Sequence, residues 1–372
     1  MPGPIARIEL ARLRDNITAV RARLRPGIEL MFVVKSDAYG HGLVPVAQAG
    51  LAAGVDRLGV VTVEEGSRLR AAGIAVPILL LGPILPEEIP RAVSLELEIP
   101  VSDSGFAARI AAAGRRSRVR PAVQVKVDTG MRRFGVRIER AEGLVEELSC
   151  NPDLRVVGIY THLSSAESRD PAARAYTLGQ IESFTALLHS LERRGLLPPF
   201  RHIANSAGFI QYQEAVTTYP FNMVRIGTLI YGYPEVEAPW TAAIRPVAHL
   251  TAPVVALREV GSGSPLGYSR RYRASSQRRV AVIAAGYGTG IPPCAADGGG
   301  VWIRGGFAPI LGGVYLDHTM VDVTGIAGVE IGDEAEIIGP HIPADRFAAR
   351  IGLHVCEFLV PALAGAERRF YR

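Results

Sequence analysis

The chain has 372 residues, of which 48% are hydrophobic and 21% are charged, and its formal net charge of +5 is spread along the sequence. This length and balance predict a globular protein of about two domains with a large buried core. The densest basic run, residues 115–120, lacks interleaved aromatic residues, so no nucleic-acid partner is predicted. The longest apolar run, residues 74–85, is too short to span a bilayer, so no membrane partner is predicted.

The cysteines and the N-terminal segment indicate a cellular compartment. Cys150, Cys294 and Cys356 have no paired spacing. An odd count without a CxxC motif disfavours a disulfide framework and a zinc site, and it favours a reducing environment. The N-terminal segment also lacks the apolar core of a secretory signal. We therefore expect a cytoplasmic protein without a metal site.

Short apolar runs alternate with segments of helical period through the first two thirds of the chain. Eight runs are predicted as strands: Met31–Val34, Leu58–Thr62, Ile78–Gly82, Leu97–Val101, Val123–Val127, Val156–Tyr160, His202–Ala204 and Val224–Ile226. Apolar strands that alternate with helices are typical of a parallel sheet covered on both faces. Eight such units are the number in a (β/α)8 barrel. The seventh run is weak by itself and is included partly because it completes the count.

The pattern changes after the proline-rich segment Tyr233–Trp240. Beyond it, alternating or β-branched runs are separated by glycine turns, and helical period is nearly absent before Phe347. We predict an α/β protein with a TIM-like (β/α)8 barrel in residues 1–238 and a mostly β domain in residues 239–372.

Polar residues that could carry chemistry follow several predicted strands. They are Lys35 after the first strand, Asp128 and Arg133 after the fifth, His162 after the sixth, Asn205 and Ser206 after the seventh, and Arg225 at the eighth. Active sites of (β/α)8 barrels lie at the carboxyl ends of the strands. The positions of these residues therefore support both the barrel and an active site at one of its ends.

The segment Met31–Gly42 is a short apolar strand followed by a lysine and a glycine-rich turn. Lys35 could form a Schiff base with a carbonyl compound, and Tyr39 could reach a phosphate held over the turn. The segment resembles the motif by which alanine racemases hold pyridoxal 5'-phosphate (PLP). The resemblance implies that Lys35 carries PLP and that Tyr39 binds the PLP phosphate.

The segment Lys126–Gly135 resembles a second signature of that family. The resemblance implies that Arg133 donates to the phenolic oxygen of the cofactor and contacts substrate. The lysine that corresponds to Lys126 is carbamylated in several members of the family. The sequence leaves open whether Lys126 is carbamylated or is an ordinary ion-pairing or hydrogen-bonding lysine. Arg132 departs from the family, in which most members have glycine at this position.

Three further segments resemble cofactor-binding elements of the family. His162 corresponds to a histidine that packs on the cofactor ring, although a lone histidine after a strand can also be an ordinary buried one. Ser206 corresponds to a phosphate ligand, but the pair Asn-Ser can also cap a helix, and both can hold. Gly227 and Thr228 correspond to a site where backbone approaches the phosphate. Arg225 corresponds to an arginine that faces the pyridine nitrogen.

Arg225 and Tyr268 bear on the type of reaction. A permanently charged guanidinium beside the ring nitrogen keeps that nitrogen unprotonated, which suppresses transamination and suits racemisation. A fold-related PLP decarboxylase would need glutamate there. Lys35 serves one face of the substrate α-carbon, and Tyr268 resembles the tyrosine that serves the other, unless it is only a packing residue. In the family this tyrosine comes from the partner subunit, so the resemblance implies a homodimer with shared sites.

The resemblance covers the whole chain but weakens toward its end. Pro292–Pro293 replaces residues that are usually charged, Gly313 replaces an arginine, and the stretch around Ala364 lacks a tyrosine. The backbone amide of Leu316 could still contact the substrate carboxylate. We expect an alanine racemase, with a role in supplying D-alanine for peptidoglycan implied only by the resemblance. A racemase of another small amino acid such as serine, and a PLP-binding homologue that has lost catalysis, stay open.

Overall fold

The computed structural model describes residues 3–372, so Met1 and Pro2, at the start of the segment searched for a signal, lie outside the described residues. The strands are β1 (Ile5–Glu9), β2 (Glu29–Val33), β3 (Arg57–Val60), β4 (Ile78–Leu80), β5 (Ile99–Val101), β6 (Ala122–Asp128), β7 (Val136–Arg137), β8 (Arg155–Tyr160), β9 (Phe200–His202), β10 (Met223–Ile226), β11 (Ala248–Val260), β12 (Pro265–Leu266), β13 (Tyr272–Arg273), β14 (Arg278–Ile283), β15 (Gly300–Ile303), β16 (Gly306–Val314), β17 (Thr319–Asp322), β18 (Glu334–Ile338) and β19 (Glu367–Tyr371). The helices are α1 (Leu10–Arg21), α2 (Lys35–Tyr39), α3 (Leu43–Ala52), α4 (Val63–Ala71), α5 (Ile89–Ser94), α6 (Ser104–Ser117), α7 (Ile138–Ser149), α8 (Pro171–Arg193), α9 (Ser206–Gln211), α10 (Gln213–Thr217), α11 (Ala344–Arg350) and α12 (Val355–Ala364).

The chain divides into two compact units. The barrel unit comprises Leu13–Ser36 and Leu43–Arg245. The β unit comprises the chain up to Arg12, the short segment Asp37–Gly42, and Pro246–Arg372. The domain boundary after residue 238 stays a prediction.

The parallel strands of the barrel unit form a closed cycle. One sheet has the order β10-β2-β3-β4, and the other has the order β5-β6-β8-β9 with β7 at its side. A parallel bridge between Leu79 and Glu98 joins β4 to the start of β5. The Arg225 amide donates to the Ala204 carbonyl at 3.1 Å, which joins β10 to the segment after β9. The predicted (β/α)8 barrel is confirmed.

The boundaries of the strands match the predictions closely except at the weak seventh run. That run was predicted at His202–Ala204, but β9 is Phe200–His202 and shares only one residue with it. The apolar residues Ile203 and Ala204 are fully buried beyond the end of the strand. Burial at the rim of the barrel, and not strand pairing, explains their apolar character.

Three helices of the barrel unit, α4, α6 and α8, begin at residues whose side chains cap free backbone amides. Thr62 and Glu65 form a capping box at α4, and the Asp103 carboxylate accepts from the Phe106 amide at α6. Asp170 caps α8, which has Pro171 at its first position. These side chains satisfy backbone donors that have no partner inside a helix. The starts of these three helices are therefore set by local sequence signals.

The β unit contains a sheet of eight strands in the order β14-β17-β16-β15-β18-β11-β1-β19. The predicted mostly β second domain is confirmed. The sequence did not predict β1, which pairs antiparallel with β11 and parallel with β19. In β11 every second residue from Ala248 to Val254 is buried, so one face of this strand packs inside the unit.

Among the described helices, none alone is long and apolar enough to cross a membrane. Only α11 and α12 taken together have the length and composition of a span, and this pair is bent by 115°.

Candidate active site

After β2 the chain forms a single left-handed turn that begins at Lys35 and ends at Tyr39. The four residues Ser36–Tyr39 have φ values of 52–57°, and none of them is glycine. Left-handed backbone costs L-residues about 1–2 kcal/mol each. Such a turn persists only when surrounding contacts impose it.

Contacts inside the β unit hold the second half of this turn. The Arg368 guanidinium forms a salt bridge with Asp37 and donates to the Gly40 carbonyl at 3.1 Å. The Nδ1 atom of His41 lies 3.0 Å from the carbonyl oxygens of Ala38 and Tyr39. Carbonyl oxygens only accept, so Nδ1 carries the proton. Burial lowers the pKa of His41 to about 4, so this histidine is neutral at neutral pH.

Arg225 is buried at the carboxyl end of β10 and donates only to neutral groups. Its guanidinium bonds to His202 Nδ1 at 2.7 Å and to the Thr161 and Ile203 carbonyls at 2.8 and 3.1 Å. A fourth contact joins it to His162 Nδ1 at 3.2 Å. Burial lowers the pKa of Arg225 to about 10, which still leaves the group charged at neutral pH.

His162 follows β8 and is held neutral by its surroundings. Burial lowers the pKa of His162 well below its usual value, and the charges of Arg225, Lys126, Arg133 and Lys35 lower it further. A guanidinium cannot accept a hydrogen bond, so Nδ1 of His162 accepts from Arg225 and the ring proton lies on Nε2. The structure thus brings together two of the residues singled out in the sequence, Arg225 and His162.

Lys126 lies inside the barrel next to aromatic rings and other cations. Its Nζ is 4.7 Å from the centroid of the Tyr160 ring and 5.9 Å from that of Phe134. Arg133 is exposed, and its Cζ lies 4.9 Å from the same Phe134 centroid. Burial and the charges of Arg225 and Arg133 lower the pKa of Lys126 well below its usual value. Burial therefore favours the neutral amine form of Lys126, which is the nucleophilic form.

The segment after β9 contacts the segment after β10. The Ser206 hydroxyl accepts from the Gly227 amide at 3.1 Å and from the Leu229 amide at 3.4 Å. The Asn205 side chain accepts from the Gly208 amide at 2.8 Å and caps α9, as one of the two readings of the Asn-Ser pair expected. Thr228 is buried beside Gly227. Ser206, Gly227 and Thr228 therefore lie together.

Tyr268 and Leu316 lie in loops of the β unit. Tyr268 is 82% exposed, and the two residues after it, Ser269 and Arg270, have left-handed φ values of 56° and 52°. A Cβ on Gly267 would lie 1.7 Å from the Tyr315 hydroxyl, so only glycine fits before Tyr268. Leu316 is exposed, and its carbonyl accepts from the Gly288 amide at 2.8 Å. A strained and closely packed turn thus presents Tyr268 outward.

Sequence reasoning missed two buried polar residues that connect to Arg225. His202 was included only as part of a strand, and Gln124 was not singled out. Both are fully buried, and His202 Nε2 lies 2.7 Å from Gln124 Oε1. A signal for Gln124 was available, because Gln124 and Lys126 are polar residues two apart in an otherwise apolar strand. That spacing places both side chains on the same face of β6.

Comparison with known families covers both units of the chain. The alanine racemase N-terminal domain matches residues 8–235, and the alanine racemase C-terminal domain matches residues 247–370. The chain belongs to the alanine racemase family. The resemblance drawn from the sequence motifs is confirmed.

Individual alanine racemases match this chain over nearly its whole length. The alanine racemase of Desulforamulus reducens is 37% identical over 358 residues, which is 95% of each chain. The structure of alanine racemase from D-cycloserine-producing Streptomyces lavendulae matches with a TM-score of 0.90 and 31% identity, over 100% of this chain and 98% of that one. A structure of alanine racemase from Bacillus anthracis with bound L-Ala-P matches with a TM-score of 0.89 and 29% identity, over 100% and 96% of the two chains.

Alanine racemases are PLP-dependent, and the residues of the barrel unit fit an anionic cofactor. Within residues 3–372, none of the cations Arg225, Arg133 and Lys126 has a carboxylate within salt-bridge distance. Such a cluster favours a ligand with phosphate and phenolate oxygens. The same described residues contain no group of three His, Cys, Asp or Glu side chains that could hold a metal ion.

Proposed function

We propose that this protein interconverts L- and D-alanine with PLP bound to Lys35. The observation that carries the proposal is Arg225, a buried guanidinium whose four partners are neutral. A cation at the ring nitrogen would keep that nitrogen unprotonated, and this favours return of the α-proton over transamination. A glutamate in this position would favour the decarboxylase alternative instead.

The proposed reaction uses one proton carrier on each face of the substrate. When bound, PLP supplies an electron-withdrawing ring that makes the α-proton of an amino acid removable. The Lys35 amine takes or returns this proton on one face, and the Tyr268 hydroxyl of a second copy of the chain does so on the other. A phenol has a pKa of about 10, so we propose that proton transfer at Tyr268 is coupled to proton movement through neutral His162.

The remaining residues bind and orient the two small molecules. The proposed contacts are Tyr39, Ser206, Gly227 and Thr228 with phosphate, Arg133 with the phenolic oxygen, His162 with the ring face, Arg225 with the ring nitrogen, and Arg133 and the Leu316 amide with substrate.

We propose that Lys126 is carbamylated. A neutral lysine amine can attack carbon dioxide, which forms an N–C bond, releases a proton and leaves a carbamate anion. An anion at Lys126 would offset the positive charge of Arg225, which burial would otherwise leave uncompensated, and also that of the exposed Arg133. Protein loaded with ¹³C-labelled bicarbonate should give a carbamate carbon resonance that is absent from Lys126→Gln. A spectrum without this resonance would leave Lys126 as an ordinary lysine.

We propose that the protein is a cytoplasmic homodimer. The support is an apolar groove of about 760 Å³ in the β unit, lined by residues that include Tyr268, Tyr315, Met320 and Ile331. Tyr268 is 82% exposed and Ile331 is 66% exposed, and exposed apolar surface of this kind is typical of an interface. Sedimentation at micromolar concentration should give twice the chain mass of 39.8 kDa.

The proposal is tested by cofactor labelling together with a racemisation assay. Borohydride reduction of the PLP-loaded protein should attach the label to Lys35, and D-alanine should form from L-alanine. Lys35→Ala should lose both the label and the visible absorption of bound PLP. Label on another lysine would contradict the assignment of Lys35.

Turnover of another small amino acid is the second candidate function. Gly313 stands where the family has arginine, and a Cβ there would meet no atom closer than 3.9 Å. We propose that this open position lies beside the substrate and admits a larger side chain, since one methylene changes discrimination by only about 1–3 kcal/mol. Catalytic efficiencies for alanine, serine and 2-aminobutyrate will rank these substrates. A preference for alanine above ~10³-fold would exclude the second candidate.

A further inference from the structure

A row of hydrogen-bonded side chains crosses the interior of the barrel behind Arg225. It contains Arg57, Glu98, Gln124, His202 and Arg225, and each of these residues is at most 7% exposed. The successive contacts measure 2.6 Å from Arg57 to Glu98, 2.5 Å from Gln124 to Glu98, 2.7 Å from His202 to Gln124 and 2.7 Å from Arg225 to His202.

The chemistry of the groups fixes the direction of every bond in the row. The Glu98 carboxylate can only accept hydrogen bonds, so the atom of Gln124 that contacts it must be the amide nitrogen, which donates. The amide oxygen of Gln124 then faces His202, and it can only accept as well. Nε2 of His202 therefore carries the ring proton, and Nδ1 has the lone pair that accepts from Arg225. Burial and the charges of Arg225, Lys126 and Arg57 lower the pKa of His202 well below its usual value, which keeps the ring neutral.

The backbone and the neighbouring ring hold these two side chains in place. A Cβ on Gly158 would lie 2.7 Å from the amide oxygen of Gln124, so glycine leaves room for the amide. Gly158 is paired with Gln124 across β6 and β8, next to an irregularity in the register. The Tyr160 ring stacks on His202 with centroids 4.9 Å apart and planes 1° apart.

We propose that Gln124 is a positioning residue for Arg225 and acts by setting the tautomer of His202. If the proton moved to Nδ1, two N–H donors would face each other across 2.7 Å, and the guanidinium would have to move. Glu98 and Arg57 take part because they orient the Gln124 amide. The proposal rests on the proposed role of Arg225 at the ring nitrogen.

The first measurement uses protein without cofactor. Long-range ¹H–¹⁵N spectra of ¹⁵N-histidine-labelled protein report which ring nitrogen carries the proton, and His202→Gln assigns the resonance. Wild-type protein should have the His202 proton on Nε2. Gln124→Met, which keeps the volume but removes both bonds, should shift a measurable fraction of the proton to Nδ1. Gln180→Met removes a different buried amide of the barrel unit and should leave the His202 tautomer unchanged.

The second measurement uses PLP-loaded protein and L-alanine. The ratio of pyruvate released to D-alanine formed should rise in Gln124→Met by roughly tenfold, the size expected for loss of one charge-assisted hydrogen bond. Glu98→Gln leaves His202 and its neighbours in place but removes the charge that orients Gln124, so it should act in the same direction. If Gln124→Met folds poorly, the product ratio of Glu98→Gln still tests the proposal.

Two results would overturn the proposal. One is a His202 proton on Nδ1 in wild-type protein. The other is a tautomer and product ratio that both Gln124→Met and Glu98→Gln leave unchanged. Wild-type protein that binds PLP but forms no D-alanine would contradict the proposed function instead, and the histidine spectra would still decide the role of Gln124.

Discussion

Single residues in the barrel unit have charge states set by burial and by their neighbours. Arg225 stays charged with a pKa of about 10, while the pKa of His162 and that of His202 fall well below their usual values. A neutral ring can accept a hydrogen bond from a guanidinium, whereas a protonated one would repel it. The hydrogen bonds of Arg225 therefore require both histidine rings to be neutral, and the charge of Arg225 in turn favours the neutral form of the rings.

Replacement of Arg225 by glutamate should change the partition of products. A glutamic acid side chain could donate its proton to the ring nitrogen of PLP, and the carboxylate left behind would stabilise the protonated ring, which favours transamination. We expect Arg225→Glu to bind PLP, to form D-alanine more slowly and to release more pyruvate per turnover. Arg201→Gln, a change at a partly buried arginine of β9, is the matched control. Equal product ratios in wild type and Arg225→Glu would contradict the role of Arg225.

His41 should make stability depend on pH below neutrality. Its pKa is about 4 in the folded protein, against an ordinary value of 6.5. The unfolded chain takes up the proton first as pH falls, so stability present above pH 6.5 is lost between pH 6.5 and 4. One such proton gives a slope of about 1.4 kcal/mol per pH unit, or roughly 3 kcal/mol in total. His41→Asn should reduce the pH dependence of the urea midpoint, and an unchanged dependence would contradict the assignment.

The conformation of the turn from Lys35 to Tyr39 could not be predicted from the sequence of the turn itself. The motif predicted a turn after a strand, but four left-handed residues without glycine oppose local propensity. The turn depends on Arg368, more than 300 positions away in the sequence, and no local pattern predicts that contact. The same reason explains why β1 was missed, since both of its pairing partners, β11 and β19, are distant in the sequence.

Loss of the Arg368 contact should weaken cofactor binding. Arg368→Met removes the salt bridge to Asp37 and the bond to the Gly40 carbonyl, so the turn that carries Lys35 and Tyr39 should relax. We expect the dissociation constant for PLP to rise by roughly tenfold, as for loss of a charge-assisted bond. Titration of PLP-free protein with PLP, followed by absorbance, measures it. Arg369→Met removes an exposed arginine paired with Glu367 and should change little. Equal affinities in the two variants would refute the prediction.

At the scale of the whole molecule, the sequence predicted the barrel, the β-rich second domain and the family. Seven of the eight strands were predictable because each is a short buried run, whereas the seventh was placed partly by the count and only one of its residues lies in β9. The family was predictable because its motifs are contiguous. The row from Arg57 to Arg225 was not predictable, since it joins residues of five separate segments. Their contact follows only from the order of strands around the barrel.

The proposed sharing of active sites between two chains predicts that two inactive variants restore activity when mixed. In a dimer of one Lys35→Ala chain and one Tyr268→Phe chain, one site carries both changes and the other carries neither. Random mixing should give about a quarter of wild-type activity. Each variant alone should be slowed, Tyr268→Phe by roughly 10²–10⁴-fold. A mixture shown to contain heterodimers but without activity would mean that Tyr268 acts in its own chain or does not act.

Racemisation of alanine in D₂O tests the central claim most directly. The PLP-loaded protein is given L-alanine, and the α-hydrogen content and configuration are followed from the first turnovers. With Lys35 on one face and Tyr268 on the other, the D-alanine formed should carry deuterium at the α-carbon, while the remaining L-alanine should at first keep its hydrogen. Tyr268→Phe should allow exchange on only one enantiomer. A PLP-loaded wild-type protein that forms no D-alanine, or forms D-alanine that has kept the original hydrogen, would contradict the account.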